Sequence, residues 1–510
     1  MKPRLPEATA PRPPAPPAKP VEAKPPAATP GACDPFIDGN ETSSYVGYAA
    51  APTTGRITPC INGLNSNGKG DDIVAQEPWD AMLEAVGSLR NGDAVYLAAW
   101  AFAPELVLVD PQAGPRRTWG QPTWGRLFQA KAAEGVQVRI LMSDFDETYA
   151  QDLRRDIRRA VAALDALIDA LPLPRRPNLQ YQVSPHPILV PHPETGKLIR
   201  VGSHHQKLMV VLRGDETIAF CGGMDIAWLR SPLHWRYDWV AGWHDLHMKI
   251  EGRLAVDLAT EFVQRWNEEW NNNPDVPPRR DWGGSPQLAK SAGTADDEAE
   301  RNVHRAQMQR TVSGLNPAVL LGGDRAKWLK TYRDDVWQGY VKIVDCAERF
   351  LYLEHQYFRD VRLAQQIVTR AKRASGLIVV AVVPAKLDEG INEFTEHGNW
   401  QQHKFFELLD SALGNKRFRL YTMVGRFVHS KLILADDRTL SLGSANANPR
   451  GFLLDTELNV AVADERMVSG FRWRLWGHNL GLPWPSVAAW KVGDFFAQWD
   501  AVAKANQQLL

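Results

Sequence analysis

At 510 residues and 57.0 kDa the chain is too long for one ordinary core. At about 150 residues per domain it calls for two or three domains or one internally duplicated fold, which excludes a peptide, a short adaptor or a lone small nuclease domain. Lys+Arg 59 balance Asp+Glu 59, so no whole-chain positive field exists to hold nucleic acid by counterion release, although a local basic groove stays compatible with this balance.

Residues 1–34 form a Pro/Ala-rich leader in which the first 32 positions carry 11 of the 36 prolines and no aromatic residue. Such a segment buries too little surface to offset its ordering entropy and reads as disordered, partly polyproline II, serving as a spacer or as a docking and delivery segment. Met1-Lys2-Pro3-Arg4-Leu5-Pro6 lacks the apolar stretch of a secretory signal, and no run of 18 apolar residues occurs, so the chain is expected to be soluble and not to span a membrane. Cys33, Cys60, Cys221 and Cys346 show no Cys-x-x-Cys spacing and are too few for a disulfide framework, so no structural zinc site is indicated. Either they are unpaired thiols or Cys33 bridges Cys60.

Two folded halves follow, 35–270 and 303–510, separated by a linker over 271–302 rich in turn formers and charges. Each half repeats one order of signals. A helix over Trp79–Arg90 leads to a strand within Asp93–Phe102, then a helix over Trp124–Gly135 leads to a strand within Val136–Asp144. In the second half Tyr332–Arg349 leads to Phe350–Phe358, and Leu363–Gly376 to Leu377–Pro384. Alternating helices and short apolar strands predict a layered α/β architecture built from one duplicated unit.

Late in each half comes a His-x-Lys triplet, His205-Gln206-Lys207 and then His429-Ser430-Lys431, each running into an apolar strand. The first is followed by Gly222-Gly223-Met224-Asp225 and the second by Gly443-Ser444-Ala445-Asn446. On a strand, residues i and i+2 share a face, so each His projects beside its Lys. A single such triplet marks only a solvated strand face. Two of them, meeting across a pseudo-two-fold interface, would form a site for a phosphodiester: lysines neutralise the non-bridging oxygens, one His attacks phosphorus and the other protonates the leaving alcohol. Gly222, Gly223, Gly443 and Ser444 would allow close approach to phosphate and Asn446 would donate a further hydrogen bond. No metal and no cofactor are called for, because lysine already matches the charge.

These residues resemble the phospholipase D superfamily, whose members carry two His-x-Lys-x4-Asp motifs. The second copy is complete with His429, Lys431 and Asp436, followed by Gly443 to Asn448, Arg450 and Asp455-Thr456-Glu457. The first has Leu212 at the Asp position, with Asp215 the nearest acid beyond it. Trp243-His244-Asp245-Leu246-His247 and Leu353-Glu354-His355-Gln356-Tyr357-Phe358 resemble segments of the eukaryotic-type enzymes, with His355 in place of Asn, and the likeness spans residues 79–485. The resemblance implies two phospholipase D-like α/β/α sandwich units about a pseudo-two-fold axis with one shared active site. It also implies His205 as nucleophile and His429 as general acid/base, a mainly structural role for Asp436, and orienting acids, Asp245 for His205 and Glu457 for His429. Between the two histidines the residues themselves do not choose. His204, His244 and His247 read as packed histidines.

For substrate, the balanced charge, the 19 Trp and the matched segments favour a phospholipid at a membrane surface, with Trp228, Trp235 and Trp239 as candidates for a lipid-facing loop. The implied reaction releases phosphatidic acid and free head-group, to water or to another alcohol, from a peripheral monomer. The rivals are a nuclease of the same superfamily and a decayed lipid-binding protein; no nucleic-acid partner is expected. A compact core with this leader and no signal also resembles bacterial effectors delivered by type VI secretion. That resemblance implies a cytoplasmic location in the producer, a secretion apparatus and an immunity protein as partners.

Overall fold

The computed structural model describes residues 35–37, 52–62, 77–108, 122–144, 151–186, 189–191, 195–227, 243–272, 279–280, 286–287, 303–312, 333–385, 393–423 and 426–507. Among them a single sheet of 16 strands runs through both halves. Its principal strands are β1 (Thr53–Ile61), β2 (Ala94–Ala99), β3 (Gln137–Ser143), β4 (Leu179–Ser184), β5 (Leu208–Arg213), β6 (Glu216–Gly222) and β7 (Leu246–Glu251), then β8 (Val303–Val312), β9 (Phe350–His355), β10 (Ile378–Pro384), β11 (Phe418–Met423), β12 (Lys431–Ala435), β13 (Thr439–Gly443) and β14 (Glu457–Ala463).

The order across the sheet is palindromic: β4-β3-β2-β5-β6-β7, then the central antiparallel pair β1-β8, then β14-β13-β12-β9-β10-β11. In each half the outer three strands are parallel and the inner three antiparallel. This is the duplicated unit expected from the sequence, and β12 follows the same course in its half as β5 in the other.

The helices are α1 (Pro78–Gly87), α2 (Trp124–Glu134), α3 (Gln151–Asp169), α4 (Arg253–Asn272), α5 (Asp335–Cys346), α6 (Val361–Arg373), α7 (Glu393–Arg417), α8 (Glu465–Leu480) and α9 (Phe495–Gln507). Several boundaries are written locally. Thr123 Oγ1 caps α2 through the Arg126 amide at 3.2 Å, and Gly135 ends it at φ 103°, a left-handed conformation that glycine adopts without a Cβ penalty. Asp360 and Asp464 cap α6 and α8 in the same way.

Strand residues alternate between two layers, which makes the sandwich. Val95, Leu97 and Ala99 of β2 pack on α1–α3, whereas Ala94, Tyr96 and Ala98 face the core that contains α4. In the second half Leu351 and Leu353 face α5–α7, while Phe350 and Tyr352 join the α4 layer together with α8 and α9. The central β1-β8 pair buries Ile57, Ile61, Ala306 and Met308 in that same layer, so one continuous core spans both halves. Burying each isoleucine or methionine side chain here is worth about 1.5–3 kcal/mol, so this packing adds to the backbone ladder in holding the seam.

Cys60 and Cys221 are free buried thiols, so the Cys33–Cys60 bridge does not form, whereas Cys346 takes part in a disulfide. Cys60 lies inside β1, paired across to His247, which places its thiol in the sheet interior. The leader, most of the 271–302 segment and Trp228, Trp235 and Trp239 lie outside the described residues.

Candidate active site

Both His-x-Lys triplets sit at equivalent places, where the chain enters β5 and β12. They are not inside regular strand, as the alternation argument assumed: His205, Gln206 and Lys207 precede β5, and only Lys431 of the second triplet begins β12. The reason is that their backbone groups pair with the opposite half. The His205 amide donates to the Thr456 carbonyl at 2.8 Å and the His429 amide to the His244 carbonyl at 2.8 Å. A parallel bridge of His204 with Thr456 and a short parallel pairing of Trp243–His244 with Phe427–Val428 complete the crossing.

That crossing decides which acid orients which histidine. His205 Nδ1 lies 2.9 and 3.0 Å from the Glu457 carboxylate oxygens, and His429 Nδ1 lies 2.7 Å from Asp245 Oδ2. The sequence-based pairing of Asp245 with His205 and of Glu457 with His429 is therefore corrected: each histidine takes its acid from the other half. Asp245 follows directly on His244, whose carbonyl holds the His429 backbone, and Glu457 follows Thr456, which holds His205. With Nδ1 occupied by a buried carboxylate, Nε2 becomes the reacting nitrogen of each ring. Burial pushes the Glu457 carboxyl well above the usual carboxylate range, with the charge of Asp455 adding to it and Lys207, the Ser444 hydroxyl and Lys431 opposing it. A proton is thus retained by the His205–Glu457 pair beyond the pH at which a solvated carboxyl would release it. Since Glu457 feels both lysines, the two triplets belong to one electrostatic site.

Both lysines are buried. Lys207 Nζ donates to the His205 carbonyl at 2.8 Å, lies 3.3 Å from Asp225 Oδ2 and sits 5.7 Å over the Trp100 ring. Lys431 Nζ donates to the His429 carbonyl and lies 3.0 Å from His429 Nδ1. Trp100 meets His205 edge-on at 5.6 Å, and Trp243 lies 4.5 Å from His429, so each imidazole has one aromatic wall. Asp225 and these two tryptophans were not singled out as site residues from sequence. Aligning Gly222-Gly223-Met224-Asp225 with Gly443-Ser444-Ala445-Asn446 would have found the first, because Asp225 stands where Asn446 stands in the other copy. Asn446 is buried, and its Oδ1 has no hydrogen-bond partner among the described residues.

Four of the predicted phosphate contacts have other work. A Cβ on Gly222 would lie 2.4 Å from His247 Nδ1, and one on Gly443 would lie 2.2 Å from Asn459 Oδ1, so both glycines admit the neighbouring strand. A Cβ on Gly223 would lie 2.1 Å from Asp245 Oδ1, making this glycine the space that Asp245 occupies. Ser444 Oγ donates to Glu457 Oε2 at 2.5 Å and thereby steadies the acid that orients His205. Asp436, five residues beyond Lys431 on the β12–β13 hairpin, accepts the amides of Glu348, Arg349 and Phe350 at 2.7–2.8 Å and so ties the hairpin to the start of β9. His204, His244 and His247 are buried. His204 Nδ1 meets Thr456 Oγ1 at 2.9 Å and His244 Nε2 meets Glu354 at 2.8 Å.

Comparison with known proteins finds phospholipase D-like sequences. The family described as "Phospholipase D" matches residues 232–400, and the one described as "Cardiolipin synthase, PLD-like domain" matches residues 340–476. Phospholipase D A of Dictyostelium discoideum is 25% identical over 480 residues, covering 76% of this chain and 34% of its own. Phospholipase D alpha 4 of Arabidopsis thaliana is 24% identical over 531 residues, covering 81% of this chain and 64% of its own. The chain thus spans less than two thirds of the length of either relative. Among solved structures, phosphatidylserine synthase of Haemophilus influenzae aligns with a TM-score of 0.48 at 13% identity, over 83% of this chain and 91% of that one. Among the described residues no helix is long and apolar enough to cross a membrane.

Proposed function

Because the chain belongs to the phospholipase D superfamily, we propose that it cleaves the distal phosphodiester of a glycerophospholipid to phosphatidic acid and free head-group. The observation that carries this reading is the crossed pair of buried histidine–carboxylate contacts, each beside a lysine. His205 Nε2 attacks phosphorus, the bond to the head-group oxygen breaks, and that oxygen takes a proton from His429 Nε2. The phosphatidyl group is then carried on His205. Water, losing a proton to His429, attacks the same phosphorus and breaks the P–N bond, which returns both rings to their starting state; an alcohol in place of water gives transfer. Lys207 and Lys431 stabilise the non-bridging oxygens as charge builds up on them, with Asn446 as a further donor.

The choice of phospholipid rests on the relatives' names and on the balanced charge of the chain. Head-group release from phosphatidylcholine vesicles, compared with cleavage of single-stranded DNA and with His205→Ala and His429→Ala controls, tests it. Cleavage of DNA with none of vesicles would replace the lipase by a nuclease, and no cleavage of either would leave a binding protein. Unchanged turnover in EDTA is expected. We further place its action in a target cell after contact-dependent secretion; the disulfide at Cys346 fits an oxidising compartment. Toxicity on expression in the cytosol but not in the periplasm would contradict that placement.

A further inference from the structure

Behind each triplet lies a buried carboxylate that the reaction scheme leaves unused. In the second half it is Glu354, near the end of β9. It accepts the hydroxyls of Ser430 and Tyr352 at 2.5 Å each and the Asn479 amide at 2.8 Å, and its Oε1 lies 2.8 Å from His244 Nε2. Ser430 separates His429 from Lys431, and His244 precedes Asp245. One carboxylate therefore grips both segments that supply the His429–Asp245 pair. In the first half the same place is taken by Glu261 of α4. It accepts Gln206 Nε2 at 3.0 Å and Arg310 Nη1 at 2.7 Å, while Arg265 Nη1 donates to Gln206 Oε1 at 2.7 Å. Gln206 separates His205 from Lys207, and Arg310 comes from β8.

The two grips are not copies made by the duplication. Ala98 of β2 opposes Leu208 as Glu354 of β9 opposes Leu432, so Glu354 has an alanine for its counterpart, and Glu261 comes from a helix instead. The same contact has thus been made twice from different elements, always on the middle residue of a triplet. In extended chain that residue points away from its neighbours' side chains. Holding it fixes the rotation of the segment about its own axis, and with it the aim of the imidazole and the amine on the other side.

We propose that Glu354 and Glu261 are positioning residues that set the bearing of His429/Lys431 and of His205/Lys207 through Ser430 and Gln206. This rests on the reading of those four residues as the reacting groups. The two clamps differ in kind. Glu261 faces Arg310 and, through Gln206, Arg265. Glu354 faces His244 and Tyr352; His478 stacks on His244 at 5.7 Å and meets Arg426 at 2.6 Å.

Ser430→Ala removes the hand-hold alone, Gln206→Ala removes it together with the Arg265 contact, and each carboxylate keeps its other partners. With a soluble phosphodiester, each variant is expected to lower kcat about tenfold or more at a KM within about twofold of wild type, because misaligned reacting groups lose rate and not binding. Ser430→Thr, which restores the hydroxyl, should recover most of kcat. In protein carrying ¹⁵N-histidine, Ser430→Ala should move the Nδ1–H resonance of His429 and leave that of His205, and Gln206→Ala should do the reverse. Wild-type kcat with both resonances in place, or equal movement of both resonances in either variant, would overturn the proposal. A wild-type chain that cleaves no phosphodiester would sink the functional reading instead, and the two resonances would then decide on the clamps alone.

Discussion

Asp93 accepts the backbone amide of Gly214 at 2.9 Å and that of Arg90 at 2.8 Å, tying the turn before β2 to the β5–β6 hairpin. In the second half the corresponding turn and hairpin are tied by Asp436, which reaches from the hairpin to the amides of Glu348, Arg349 and Phe350. Leu212, which stands at the place of Asp436 in the first copy, is buried in the core opposite Ala94 and Thr217. The acid missing from the first motif is thus supplied from the other side of the same junction.

Asp93→Ala should therefore cost stability and not chemistry. The two amides on Asp93 are exposed and water can replace their acceptor, so the loss should be about 1 kcal/mol, and Asp436→Ala, which takes the acceptor from one buried and two half-buried bonds, should cost more. Denaturant unfolding gives the loss, and turnover per folded molecule should stay at the wild-type level. An Asp93→Ala chain as stable as the parent would break the equivalence, as would one that is fully folded and inactive.

The crossed acids make a second prediction. Asp245→Asn and Glu457→Gln should each lower kcat by about two to four orders of magnitude, by analogy with the loss of an orienting carboxylate behind a catalytic histidine. In double-mutant cycles Asp245→Asn should couple to His429→Ala and be additive with His205→Ala, and Glu457→Gln should show the opposite pattern. Coupling of Asp245 to His205 would restore the pairing that sequence order suggests.

What could be read from the sequence, and what could not, follows from where the information lies. The duplicated strand–helix order and the two triplets are local patterns and are visible as such, whereas Asp245 and Glu457 as orienting acids come with the family resemblance. Which acid serves which ring is not local: it depends on bridges between residues 252 and 184 positions apart, made by short parallel contacts that leave no periodic signature. Glu354 and Glu261 were equally hidden. Glu354 is the single acid of an apolar strand and Glu261 one of four acids on an amphipathic helix, and only the contact with Ser430 or Gln206 distinguishes each from an ordinary buried ion pair. Gly222, Gly223 and Ser444 were seen, but residue type alone could not tell a phosphate cradle from room for a neighbouring strand.

Glu354 also carries a pH signature. Burial alone would raise its carboxyl, but the charge and hydrogen bond of His244, with the Ser430 and Tyr352 hydroxyls, hold it down to about 2 from an ordinary 4.5. Because the folded value is depressed, its contribution is fully present above about pH 4.5 and is lost as pH falls toward about 2. The shift corresponds to about 3 kcal/mol at neutral pH. Glu354→Gln should therefore be less stable than wild type at pH 7 by up to about that amount, and the difference should shrink steadily below pH 4.5. Denaturant midpoints measured at pH 7, 4.5 and 3 give the comparison; parallel curves at all three would show that the carboxylate is not held by its charge.

The two free thiols among the described residues report on the seam between the halves. Burial pushes Cys60 and Cys221 up to about 12, so neither forms appreciable thiolate at pH 8, and both should resist alkylation until the chain unfolds. Cys221 is the sharper probe. It lies on β6 directly before Gly222, opposite Leu208 and Met248, and its Sγ is directed at the Leu458 carbonyl of β14 at 3.8 Å. Leu458 adjoins Glu457, so a separation of β6 from β14 that uncovers this thiol also disturbs the place where the His205 acid is seated. Mass spectrometry of peptides labelled by iodoacetamide should show Cys221 modified in step with loss of turnover as denaturant is raised. Labelling of Cys221 in fully active protein would mean that the two halves part without disturbing His205 and Glu457, which the shared core does not allow.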